Sequence, residues 1–117
     1  MNDTYGHLEG DALLIAVADT LRTSVRSYDI VGRTGGDEFV VYLSNVTDRQ
    51  NAMAVAEKLC QVIRGLSTMK KEWSNISASI GISFADHPDI KMEELYISAD
   101  KAMYSAKGNG RDQYQTL

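Results

Sequence analysis

The sequence is poor in several residue types at once. It contains one cysteine, one proline, one tryptophan and two histidines among 117 residues. A single cysteine excludes an internal disulfide framework, and Cys60 sits among Val55, Leu59, Val62 and Ile63 on a helical apolar stripe, where it reads as a small core residue. No Cys/His cluster has the spacing of a zinc site, and no nucleophile–base pair stands out. No apolar run approaches the roughly 18 residues a membrane-spanning helix needs, and no signal-peptide pattern opens the chain, so the cytoplasm is the expected compartment. Positive charge is also short, with 12 Lys and Arg against 16 Asp and Glu, a net charge of −4. Long nucleic acids and anionic membranes demand a basic face and are poor partners for such a chain, whereas a small anionic ligand needs only a few local cations.

What is present suits one domain over residues 1–117 with a modest core, 44% of the residues being hydrophobic and 24% charged. Leu14, Val17, Ala18, Leu21 and Val25 recur at spacings of three and four, which predicts an amphipathic helix over 11–25 with Asp11 available to cap it. Two short strands follow in DIVGRTGGDEFVVYL, joined through Thr34, Gly35 and Gly36, a turn composition suited to positive φ. A second helix is predicted over 49–66, with Gly65 as its stop. Ile76, Ala78, Ile80, Ile82 and Phe84 alternate on one face of a strand over 75–85. A third helix over 92–107 ends at Gly108 and Gly110, and DQYQTL reads as a last short strand. The order suggests a layered α/β or α+β sheet with helices packed on it. No internal repeat, low-complexity run or linker is visible.

Within GRTGGDEFVVYL, Asp37 and Glu38 stand side by side at the mouth of an apolar strand. Adjacent carboxylates repel, so the pair is either a solvated turn or a place where a cation offsets the repulsion. Three further stretches accompany it: NDTYGHLEGD at 2–11, SIGIS at 79–83 and ADKAMYSAKGNGRD at 99–112. Each alone is a weak signal. In this order, across nearly the whole chain, they resemble the GGDEF domain of diguanylate cyclases, which condense two GTP into cyclic di-GMP with release of pyrophosphate.

The resemblance implies a palm-like, adenylate-cyclase-like βαββαβ sheet flanked by helices. It also implies specific roles. Gly35 and Gly36 would let the backbone approach the nucleotide phosphates, as residues without a Cβ can. Asp37 and Glu38 would be the acidic metal ligands and catalytic acids for Mg²⁺ or Mn²⁺, two ions per active site. Asn2 and Asp11 fall where the family bonds the guanine edge, and an amide with a carboxylate suits a base offering both donors and an acceptor. Lys107 and Arg111 fall where it holds phosphates; a helix-dipole role is the rival for Lys107 and a capping role for Asp11. Tyr5 and His7 would have packing or loop roles, and His87 a loop role. RSYD at 26–29 fits the family's inhibitory product site, with Arg26 and Asp29 as ligands for cyclic di-GMP. GTP, cyclic di-GMP and a second copy in a catalytic homodimer are the implied partners, with a sensor domain upstream. A non-catalytic module that binds GTP or cyclic di-GMP is the alternative.

One departure is expected to matter. Family members carry, before the NDTYGH loop, a first strand with a metal-binding aspartate, and this chain begins after it. The flanking strands, around Phe39–Leu43 and Ile76–Phe84, are then expected to need another copy, a shifted terminal segment (Met1 to Tyr5 or Asp112 to Leu117) or partial collapse to cover them, and the chain is expected not to turn over GTP.

Overall fold

The computed structural model describes residues 6–35, 38–44 and 46–116, with the side chains of 6–9 left aside. Asn2, Tyr5, Gly36 and Asp37 therefore lie outside the described residues, as does the side chain of His7. The elements run α1 (Gly6–Ser24), β1 (Ile30–Gly35), β2 (Glu38–Tyr42), α2 (Arg49–Leu66), a short 3₁₀ turn (Lys71–Trp73), β3 (Ser79–Ile82), α3 (Met92–Gly108) and β4 (Gln113–Thr116). This is the mixed α/β architecture expected. No described helix is long and apolar enough to cross a membrane.

Several boundaries differ from the sequence reading. The first helix begins five residues before Asp11, which therefore lies inside α1, exposed, and is not its cap. Gly65 does not stop α2; the helix runs through it to Leu66 and closes at Ser67, whose amide donates to the carbonyls of Arg64 and Gly65. At the other end Asp48 caps α2, its side chain accepting from the Gln50 amide at 2.9 Å. The strand expected over 75–85 contracts to four residues, because only Ser79–Ile82 find ladder partners.

β1 and β2 form an antiparallel hairpin, with Ile30 opposite Tyr42 at one end and Gly35 opposite Glu38 at the other, and a bulge between Arg33 and Gly35. β3 and β4 pair in parallel. These are two separate two-stranded sheets, parted between the strands around Phe39–Leu43 and Ile76–Phe84 that were expected to lack cover. Among the described residues nothing bridges them, and β4 pairs with β3 alone.

The core lies where α1, α2, the hairpin and the approach to β3 meet. Leu21, Leu59, Ile63, Leu66 and Trp73 are buried there, with Val17, Val31, Phe39 and Ile80 packed around them. The α2 stripe of Ala52, Ala56, Leu59, Cys60, Ile63 and Leu66 recurs at three and four residues, which presents one apolar face inward. Cys60 is buried within it as expected. On the other side, α3 lies on β3 through small residues: Ala102 and Ala106 are fully buried. A Cβ on Gly81 would fall inside the α3 backbone at the Ala99 carbonyl and the Met103 amide, so the close approach depends on that glycine.

Candidate active site

Glu38 opens β2, half-buried at the turn end of the hairpin. Gly35 faces it across the ladder with φ +158°, and a Cβ added there would meet nothing within 4 Å, so the space over this residue is open to a ligand.

Between the two sheets lies a cavity of about 1280 Å³ whose wall includes Glu38, Lys107 and Arg111. A carboxylate at a strand start and two cations from the end of α3 and the loop after it thus line one space, although they are separated by some seventy residues of sequence. The remainder of its wall is mostly apolar, from the contiguous residues of β2 and of the segment around β3. In that wall the Trp73 indole N–H is buried and has no acceptor among the described residues.

Asp11 lines a smaller groove of about 370 Å³ between α1 and the hairpin. Arg22 and Arg33 line it too, and Leu14 and Phe39 belong to the walls of both spaces, so groove and cavity adjoin. The two arginines were not singled out in the sequence. Periodicity carried the signal: Arg22 follows Asp11 by three helical turns, and Arg33 follows Val31 by one strand repeat, which puts each pair on one face.

The RSYD segment occupies the turn between α1 and β1, at the opposite end of the hairpin from Glu38. Five strand steps of about 3.3 Å separate the ends of β1, roughly 17 Å. The Asp29 carboxylate is already engaged there, accepting from the Arg26 amide at 3.0 Å and from the Ser44 amide at 2.9 Å. Those bonds tie the start of the hairpin to its far strand, and a carboxylate retains further lone pairs for a ligand. Arg26 is exposed, its Nη1 donating to the Tyr28 hydroxyl at 2.6 Å. That hydrogen bond, with the nearby Asp29 carboxylate, holds the guanidinium above its ordinary pKa.

Among the described residues no three His, Cys, Asp or Glu side chains gather as a metal site. Glu38 is the one member of the acid pair that the described residues place on the cavity wall; Mg²⁺ and Mn²⁺ take one or two carboxylates and complete their shell with water and substrate phosphates.

The chain from residue 1 to 113 matches the model of the family described as diguanylate cyclase, GGDEF domain. It is 44% identical over 114 residues to the bifunctional diguanylate cyclase/cyclic di-GMP phosphodiesterase MucR of Pseudomonas aeruginosa, covering 97% of this chain and 16% of that protein. It is 40% identical over 116 residues to diguanylate cyclase A of Treponema denticola, covering 97% of this chain and 30% of that one. Among solved structures, a variant of Pseudomonas aeruginosa YfiN comprising only its GGDEF domain superposes with a TM-score of 0.81 at 31% identity, over 97% of this chain and 67% of the other. The active GGEEF domain of a diguanylate cyclase from Vibrio cholerae superposes with a TM-score of 0.79 at 29% identity, over 99% and 75%.

Proposed function

Because the chain belongs to the GGDEF family of diguanylate cyclase domains, we propose that it is the catalytic unit of an enzyme condensing two GTP into cyclic di-GMP. The observation that carries this is the shared cavity wall of Glu38, Lys107 and Arg111. The reaction requires the 3′-hydroxyl of one GTP to attack the α-phosphorus of another as pyrophosphate leaves. Most of the protein's contribution is therefore positioning and absorption of charge.

The roles divide by place. Lys107 and Arg111 take the triphosphate oxygens, the guanidinium bidentately and the ammonium as a point charge. Gly35 and Gly36 admit the phosphates close to the backbone. Asp11, in the groove beside α1, accepts from the guanine edge, and by family likeness Asn2 is its partner in binding that base. Glu38 and Asp37 would hold Mg²⁺ or Mn²⁺, which when bound supplies neutralising charge to the phosphates. Arg26 and Asp29 form a product site, remote from Glu38 along the hairpin, through which cyclic di-GMP restrains the enzyme. One copy presents one GTP, so two copies are required per product, and an upstream sensor domain sets activity.

The alternative reading is a non-catalytic module that binds GTP or cyclic di-GMP. Incubation with GTP and Mg²⁺, with chromatographic detection of cyclic di-GMP, separates the two. In an active protein, Glu38→Gln is expected to abolish product while GTP binding persists. Near-normal turnover in that variant would remove Glu38 from the reaction. Binding of GTP without turnover by the unaltered chain favours the second reading.

A further inference from the structure

Arg111 and Asp112 join α3 to β4 with φ of +64° and +51°. This is the left-handed region, which a residue with a Cβ adopts at a cost, and two in succession need restraint from outside. Within the loop, the Arg111 amide donates to the Ala106 carbonyl at 2.9 Å. From β4, the Gln113 side-chain amide donates to the carbonyls of Asn109 at 2.8 Å and Arg111 at 3.1 Å.

The remaining restraint comes from α2. Arg64 Nε donates to Asp112 Oδ2 at 2.8 Å and Nη2 to Oδ1 at 3.2 Å, a bidentate pair between residues 48 apart in sequence. Its side chains are 49% and 35% exposed, and an ion pair so exposed contributes little to stability. A planar fork gripping both carboxylate oxygens does, however, fix orientation. The residue whose orientation it fixes adjoins Arg111, which lines the cavity with Glu38 and Lys107.

We infer that Arg64 and Asp112 are positioning residues for the nucleotide triphosphate: their bidentate pair holds the left-handed loop so that the Arg111 guanidinium stays directed at the phosphates. This rests on the reading of Arg111 as a phosphate ligand, and it assigns α2 a part in substrate binding. Without the pair, the strained conformer is depopulated and affinity falls in proportion.

Calorimetric titration of the whole chain with Mg²⁺–GTP, and separately with guanosine, tests this, with Arg111→Ala as the control on the underlying reading. Arg64→Ala is expected to weaken GTP binding by up to about fivefold, the share of the left-handed conformer's population that so exposed an ion pair can hold. Guanosine affinity and melting temperature should be unchanged, which a general structural defect would not produce. Exchanging the partners, Arg64→Asp with Asp112→Arg, should restore most of the GTP affinity. Asp112→Asn, which tolerates the left-handed conformation and keeps one acceptor, should give a smaller loss in the same direction, and it decides the matter if Arg64→Ala does not fold. The inference is overturned, with Arg111 still a ligand, if Arg111→Ala weakens GTP binding while Arg64→Ala or Asp112→Asn leaves it intact, or if guanosine weakens in step with GTP. Should Arg111→Ala change nothing, or the unaltered chain not bind GTP, the reading of Arg111 and the inference fall together.

Discussion

Replacing Gly81 by alanine adds one methyl group where β3 lies against the backbone of α3. The added carbon would overlap the Ala99 carbonyl and the Met103 amide, both backbone atoms of α3, so no side-chain rotation can relieve it. Either β3 or α3 must move. Overpacking against a side chain typically costs 1–3 kcal/mol, and a collision with backbone belongs at the upper end, about 3 kcal/mol. For 117 residues the unfolding entropy is about 0.25 kcal/mol/K, so the midpoint should fall by roughly 12 °C. Gly32→Ala in β1 is the matched control, since a Cβ there meets nothing within 4 Å; it should leave the midpoint level or slightly raised. Scanning calorimetry on the three proteins measures both effects. A functional consequence follows, because α3 carries Lys107 and leads into Arg111: well below the melting temperature, Gly81→Ala should also bind GTP more weakly. A Gly81→Ala midpoint within about 2 °C of the unaltered protein would refute the close packing of α3 on β3 and the argument built on it.

Two further outcomes can be checked. In the RSYD turn the partners should separate by role: Arg26→Ala, at an exposed position, should weaken cyclic di-GMP binding about tenfold in calorimetry with the melting temperature unmoved, whereas Asp29→Ala should destabilise by about 1–2 kcal/mol in urea denaturation, because two backbone amides lose their acceptor. Burial, then the nearby Glu57 and Asp112 carboxylates, push the Cys60 thiol up to about 11 from an ordinary 9.0. The unfolded thiol ionises first, so this group's contribution is constant below pH 9 and is lost as the pH rises from 9 to 11, which Cys60→Ala should remove from the pH dependence of stability; native Cys60 should also resist thiol reagents at pH 8.

Local pattern determined much of this protein. The stripes of α1, α2 and α3 and the Gly-containing turn between β1 and β2 repeat within a few residues, and such periodicities announce which face will be buried before any partner is known. The motif residues Glu38, Lys107 and Arg111 were legible by family likeness for the same reason, each lying in a short contiguous stretch. The early start of α1 was not, because GHLEG carries two glycines and no apolar period; the helix extends there with Gly10 buried against the fold, and packing outweighs propensity. The parting of the sheet between β2 and β3 was expected from family likeness; the parallel pairing of β4 with β3 across the whole of α3, by contrast, was invisible, since it joins segments far apart in the chain. The bond from Asp29 to Ser44 and the clamp of Arg64 on Asp112 belong to the same class. No window of sequence contains both partners of either, and only the packing of the helices and strands brings them within hydrogen-bond reach.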